Sequence, residues 1–274
     1  MKLIGKTDVG KKRKNNQDSF VLKHYPENSA AVALVCDGMG GASGGNIAST
    51  LACEAFTERM DGFFSAAGAG RLPSVPTEGD IASAIAHAVY EANRRVFERA
   101  ENDSTLQGMG TTLVAAVIIG ERLYAVNVGD SRLYMFAHGQ LRQITKDHSL
   151  VQFLLDSGKI TGDEAENHPN RNVITRAIGP ERSIEADIFS VELKHAAEDD
   201  TFCALLCSDG LSGYVKKEHI GDILAEQLPE HPEKAADALI AAANDAGGAD
   251  NITAVLVCFG TEDGMDEGAA HGTV

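Results

Sequence analysis

Residues 31–45, AVALVCDGMGGASGG, constrain the fold of this chain most. A strand-length apolar run ends on a bare carboxylate, Asp37, and five of the next eight residues are glycine. Burying an unpaired carboxylate is costly, so Asp37 is either solvated at a turn or held by a cation. The placement recurs: Asp209 ends FCALLCSDG, Asp250 precedes NITAVLVCF, and Asp130 sits in the turn of YAVNVGDSRLYMF. Asp-Gly, Gly-Asp and Asp-Asn are common turn dipeptides, so any one of them alone reads as a turn. Together they read as a set of oxygen ligands with no His or Cys partner, which suits hard divalent cations such as Mg²⁺ and Mn²⁺. Carboxylates gathered by converging strand ends would repel one another without metal. Two such ions, about 3.5–4 Å apart, can activate a bridging water and clamp a phosphoryl oxygen.

The glycines after Asp37 do not make a nucleotide loop. G-x-G-x-x-G counted from Gly38 lands on Ser43, and no Gly-Lys-Ser/Thr follows. Their expected use is to let backbone carbonyls and a ligand come close.

Strand-like runs come in groups: DSFVLKHY, AAVALVCD, GTTLVAAVIIG, ERLYAVNVGDSRLYMF, GQLRQIT, FCALLCSDG and NITAVLVCF. Helical periodicity marks 43–60 (Ile47, Leu51, Ala55), about 80–101 (Ile81, Ile85, Val89, Val96) and the alanine-rich 233–246. Segment 62–79 reads as a loop between the two long helices. Grouped strands and grouped helices point away from a parallel sheet and toward α+β, with antiparallel sheets face to face and helices outside. Residues 147–179 form a separate small unit. Leu150, Val151, Leu154 and Leu155 make an apolar stripe, Gly158 stops it, and Thr161 with Glu164 is a capping box. Residues 261–274 read as a disordered tail.

A formal net charge of −16 argues against nucleic acid as partner. No apolar run reaches membrane-spanning length and the start lacks a signal-peptide core, so the cytoplasm is expected and no membrane partner. Cys36, Cys53, Cys203, Cys207 and Cys258 lie in apolar runs and read as reduced core thiols; Cys203 and Cys207 would share a strand face.

Eight blocks in order give the chain a resemblance to the metal-dependent serine/threonine phosphatases of the protein phosphatase type 2C family, in compact bacterial form. They are TDVGKKRKNNQDSF, VCDGMGGASGG, GMGTTLVAAVI, VNVGDSRLYMF, ITKDHSL, NVITRAIG, LLCSDGLSGYV and GGADNITAVLV, spanning residues 7 to about 259. The resemblance implies a single domain over 1–260, a β-sandwich of two antiparallel sheets flanked by helices, with a flap at 147–179. It implies that Asp37 bridges two metals, with the carbonyl of Gly38 as a further ligand and Asp209 and Asp250 completing the site. Asp130, with Asp209, matches a third, weaker metal position, and Asp18 would orient metal-bound water from behind. Arg13 matches the phosphate-binding arginine, whose fork suits two phosphoryl oxygens; by sequence alone it reads as part of a basic surface cluster with Lys11, Lys12 and Lys14.

The implied reaction is direct hydrolysis of phosphoserine and phosphothreonine in proteins by a metal-bridging water, with Mn²⁺ or Mg²⁺ as cofactor. The implied enzyme is monomeric and opposes a serine/threonine kinase in bacterial signalling. Two departures stand out. Met39 replaces the histidine that eukaryotic members carry as proposed general acid, so the leaving group would take its proton from water. Gln17 stands where the family often has Glu, which argues against a direct metal contact there. Two competing readings are a catalytically silent phosphoprotein-binding module, which would be expected to lose some of the four aspartates, and a hydrolase of small phosphoesters.

Overall fold

The computed structural model describes residues 1–68, 76–193, 202–228, 230–259 and 270–272. Its strands are β1 (Lys2–Asp8), β2 (Asp18–Tyr25), β3 (Ala30–Met39), β4 (Gly110–Thr111), β5 (Leu113–Ile119) and β6 (Arg122–Val128), followed by β7 (Arg132–Ala137), β8 (Gln140–Gln143), β9 (Asp187–Glu192), β10 (Phe202–Cys207), β11 (Ile252–Phe259) and β12 (Ala270–Gly272). The helices are α1 (Gly41–Gly68), α2 (Glu78–Glu101), α3 (Leu150–Asp156), α4 (Gly162–Glu166), α5 (Asp209–Ser212), α6 (Lys217–Gln227) and α7 (Pro232–Asp245).

One sheet runs β1-β11-β10-β7-β8 and the other β12-β2-β3-β5-β6-β9, with β4 added beside β3. All their pairings are antiparallel. Three apolar layers separate four structural ones. Along β3, Val32, Leu34 and Cys36 face α1 and α2, while Ala31, Ala33 and Val35 face the other sheet. Along β11, Ile252, Ala254, Leu256 and Cys258 face α6 and α7, and Val255 and Val257 face inward. With both faces covered, these strands are apolar along most of their length, broken by Thr253 in β11 and by Asp37 and Gly38 near the end of β3, which is why they read as runs instead of alternating patterns. The expected α-β-β-α sandwich is the observed architecture.

The helices differ from expectation in extent. The loop placed over 62–79 begins later, because α1 runs on to Gly68. Phe64 is 3% exposed and its ring lies 4.2 Å from that of Tyr25, so burial carries the helix past Gly62; residues 69–75 lie outside the described residues. The buried face of α1 is led by Ala48, Ala52, Phe56 and Met60, with Ile47 and Leu51 packed at its margin. Sequence reasoning did not mark β1, β9 or α6, although Ile220, Ile223 and Leu224 of α6 have helical spacing. The capping box of Thr161 and Glu164 is present at α4. The tail expected at 261–274 falls mostly outside the described residues; Ala270–Gly272 pair with β2, a strand whose outer edge would otherwise offer unpaired backbone groups. All five cysteines are free and buried, and Cys203 and Cys207 share the layer against α6 and α7.

Antiparallel order brings the ends of β1, β3, β6 and β10 and the starts of β2, β7 and β11 to one end of the sandwich. The registers make this concrete: Asp18 lies opposite Asp37, and Cys207, just before Asp209, lies opposite Ala254 and Arg132.

Leu34 is fully buried between β3 and the long helices. Leu34→Ala should lower the unfolding free energy by about 2–5 kcal/mol, read from urea midpoints at unchanged slope.

Candidate active site

Asp37 is the second-last non-glycine residue of β3, and its backbone is held on both sides. Its N–H donates to Thr112 Oγ1 (2.9 Å), and its carbonyl accepts from Thr112 N (2.9 Å) and Thr111 Oγ1 (2.9 Å). Gly38 N donates to the carbonyl of Gln17 (3.1 Å). A side chain at Gly38 would place its Cβ 2.1 Å from the carbonyl oxygen of Gly45, so this glycine lets α1 start directly against β3. Gly40 and Gly41 turn the chain there at positive φ, +120° and +67°. The glycine run therefore serves backbone packing as well as access to the site.

Asp18 is 2% exposed at the start of β2. Its Oδ2 accepts from Thr253 Oγ1 (2.6 Å) and Ser208 Oγ (2.7 Å), while Oδ1 is buried with no hydrogen-bond partner. Asp209 heads α5 immediately after β10, and its Oδ1 is likewise buried and unpartnered. Asp250 precedes β11 and accepts from Arg13 Nη2 at 2.7 Å. Asn251 then ties the arginine-bearing loop down: its Nδ2 donates to the carbonyls of Val9 and Asn15 (3.0 Å each), and its Oδ1 accepts from Gln17 N (2.8 Å).

These elements open on one pocket of about 530 Å³, with Asp37, Gly38, Asp130, Asp209, Asp250 and Arg13 in its walls and Asp18 behind. Asn172 and Ile174 close one side from the 147–179 segment. That segment is fastened where it meets the Asp130 turn. Gly129 N donates to His148 Nδ1 (3.1 Å), His148 N donates to the Gly129 carbonyl (2.8 Å), and the guanidinium of Arg132 grips Asp147 at 2.7–3.0 Å.

The electrostatics show carboxylates in conflict. Enclosure by the protein, then Asp18, Asp209, Asp130 and Asp250, push Asp37 well above the usual carboxylate range. Enclosure pushes Asp18 up to about 7 against its two hydroxyl donors, and enclosure with Asp209 and Asp147 pushes Asp130 up to about 7. Asp209 is raised by enclosure and by the neighbouring charge of Asp250. The Arg13 guanidinium is raised chiefly by its bond to Asp250.

Among the described residues no three His, Cys, Asp or Glu side chains close around a single point by themselves. The donor set still fits divalent cations. It is oxygen-only, two buried carboxylate oxygens lack any partner, and the charges repel unless a proton or cation comes between them. A cation that keeps several of its own waters needs few protein ligands.

The protein phosphatase 2C family model matches residues 9–244. The chain belongs to that family. It is 36% identical over 252 residues to the serine/threonine phosphatase Stp of Listeria welshimeri, covering 92% of this chain and 93% of that one. It is 36% identical over 259 residues to the protein phosphatase PhpP of Streptococcus pneumoniae, covering 94% and 97%. It superposes with the catalytic domain of the serine/threonine protein phosphatase PstP in complex with two manganese ions, at a TM-score of 0.74 and 36% identity over 93% of this chain and 96% of that one.

Within the family frame, the two departures have structural outcomes. Met39 lines the pocket and offers no proton donor. Gln17 donates its amide to the Gly41 carbonyl (2.9 Å), bracing the glycine turn. Sequence reasoning missed Thr111, Thr112, Ser208, Asn251 and Thr253, which hold the aspartates in place. Their signal was polar residues at the ends of, or inside, apolar runs, as in GTTLVAAVI and NITAVLV.

Carboxyls with folded pKa near 7, against 3.8 for Asp ordinarily, hold protons in the fold that the unfolded chain releases. Their contribution is complete below the unfolded value and lost as pH rises through the folded one. The Tm of chelator-treated protein should therefore fall between about pH 4 and 7. The rise in Tm on adding Mn²⁺ should grow over the same interval, because ligands must shed protons. Differential scanning fluorimetry with EDTA or Mn²⁺ checks both slopes.

Proposed function

We propose that this protein phosphatase hydrolyses phosphoserine and phosphothreonine in proteins, using two divalent cations held at the carboxylate end of its sandwich. The observation that carries this reading is the convergence of Arg13 and the metal-suited aspartates on one open pocket. Asp37 and the Gly38 carbonyl, with Asp209 and Asp250, would hold two ions, and Asp130 with Asp209 a third, weaker one. The manganese ions of the related PstP domain support Mn²⁺, and the same ligand chemistry accepts Mg²⁺. When bound, the cations supply a water made nucleophilic at neutral pH and positive charge beside the phosphoryl oxygens.

The chain's own residues supply the positioning. Arg13 lies half-exposed over the pocket and already bonds a carboxylate, so it can pass its fork to two oxygens of an arriving phosphoryl group. Its loop is clamped by Asn251, which fixes where that group sits. Asp18, braced by Thr253 and Ser208, keeps one free oxygen to orient water. With Met39 in place of a histidine, the serine or threonine oxygen takes its proton from solvent. No side-chain nucleophile is required: Cys36 is buried in the layer behind β3, and burial beside Cys53 pushes its thiol up, away from the reactive thiolate.

The retained aspartates favour an enzyme over a silent binding module. The solvent-open Arg13 favours a phosphate carried on a protein surface over an enclosed small ester. Among the described residues no helix is long and apolar enough to cross a membrane. We place the enzyme in the cytoplasm as a monomer opposing a serine/threonine kinase, with 1–260 as its domain and 147–179 as a flap touching the substrate.

Phosphate release from a phosphothreonine peptide tests the reading. Release should require Mn²⁺ or Mg²⁺ and collapse in a folded Asp209→Asn variant. Arg13→Ala should cost about a hundredfold in kcat/KM, and Arg13→Lys should recover only part of it. No release by folded, Mn²⁺-supplied wild type from peptide or phosphoprotein would overturn the proposal in favour of a binding module.

A further inference from the structure

The loop carrying Arg13 is a run of four cations, KKRK at 11–14, in a chain with 24 basic and 40 acidic residues. All four are exposed. The loop is built, not loose. Asn251 clamps it at both ends through the carbonyls of Val9 and Asn15, and the N–H groups of Lys11 and Lys12 both donate to the Gly248 carbonyl (2.7 and 3.1 Å). Gly10 turns at φ +76° where a Cβ would meet the Asp250 carbonyl oxygen at 2.2 Å, and its N–H donates to Asp8 Oδ1 (2.7 Å).

The four cations divide by partner. Lys11 lies 3.6 Å from Asp245 and Arg13 lies 2.7 Å from Asp250. Among the described residues the side chains of Lys12 and Lys14 have no ion-pair or hydrogen-bond partner. Lys14 forms part of the pocket wall beside Arg13, and Lys12 stands on the other side of Arg13 in sequence. In so acidic a chain, two unpaired lysines flanking a phosphate-suited arginine on a backbone-anchored loop, one of them in the pocket wall, make a local positive edge beside the pocket.

We infer that Lys12 and Lys14 form a second anion subsite. It takes a carboxylate or a second phosphate lying within about two or three residues of the phosphorylated residue on the substrate protein. The inference rests on the proposed phosphoprotein phosphatase reading and adds the substrate class that the site prefers. The occupant follows from charge and continuity. The edge adjoins the pocket that takes the phosphoryl group, and an extended peptide advances about 3.3 Å per residue, so flanking anions pass directly over it. A preference of this kind matches segments phosphorylated at neighbouring positions, or phosphosites set among Asp and Glu.

The test uses Mn²⁺-loaded full-length enzyme and four probes. These are p-nitrophenyl phosphate, a phosphothreonine peptide with neutral flanks, and the same peptide with Glu or with a second phosphothreonine two residues to either side. Exposed pairs are weak, so wild type should favour the anion-flanked peptides by about three- to tenfold in kcat/KM, mainly through KM. The preference should be largest for the second phosphate and should shrink with added salt. A Lys12→Glu/Lys14→Glu double variant should abolish or invert the ratio between flanked and neutral peptides, and Lys12→Arg/Lys14→Arg should keep it. Preference for Glu alone would assign a carboxylate subsite, and preference for the second phosphate alone a phosphate subsite. Equal kcat/KM on all peptides by an active wild type, or a ratio untouched in the Glu variant, would overturn the inference. Inactivity of wild type toward every probe, p-nitrophenyl phosphate included, would instead strike the underlying phosphatase reading.

Discussion

Mutual repulsion among carboxylates at one end of the sandwich is the constraint that the rest of the structure answers. Asp18 and Asp37 sit directly opposite each other on paired strands, and Asp130, Asp209 and Asp250 arrive from neighbouring strand ends. Each raises the proton affinity of another, and a flexible scaffold would relax by letting them part. Relaxation is blocked by burial on both faces of both sheets and by hydrogen bonds at the strand ends. Thr111 and Thr112 hold the main chain of Asp37, and Ser208 and Thr253 hold the carboxylate of Asp18. The fold thus keeps the carboxylates together in a geometry whose repulsion a proton or a cation relieves.

The same rigidity organises the substrate side. Asn251 spends three hydrogen bonds on the loop that precedes β2, so Arg13 is delivered to the pocket from a fixed base although its guanidinium is half-exposed. The Asp130 turn is coupled to the segment over the opposite wall through His148 and the Arg132–Asp147 pair. The Arg13 loop and the Asp130 turn therefore have separate anchor points, and Asp250, which accepts from Arg13, joins the arginine to the carboxylate cluster.

Much of this was legible in the sequence, for physical reasons that differ by element. Strands buried on both faces leave largely apolar runs, so β3, β10 and β11 could be read directly, and the aspartates at their ends drew attention because charge is expensive there. Strands β1 and β9 are less uniformly buried, with polar residues between the apolar ones, and gave weaker signals. Helix α1 outran its expected end because Phe64 packs on Tyr25, a contact that local propensity at Gly62 does not reveal. Within the site, Asp37, Asp130, Asp209 and Asp250 stood out by position alone. Arg13 and Asp18 did not, because an arginine among lysines and an aspartate after Asn-Gln look like ordinary surface; family resemblance supplied them. The hydroxyls that brace the aspartates stayed hidden, since which strand end meets which is decided by sheet order.

The central claim is that these carboxylates exist to be bridged by cations, and equilibrium dialysis against Mn²⁺ with metal analysis of the folded chain tests it most directly. The account predicts two tightly held ions per chain in wild type, and loss of both in a folded Asp37→Asn variant, since that residue would touch each. Fewer than one ion per folded wild-type chain, or full occupancy without the Asp37 carboxylate, would contradict it.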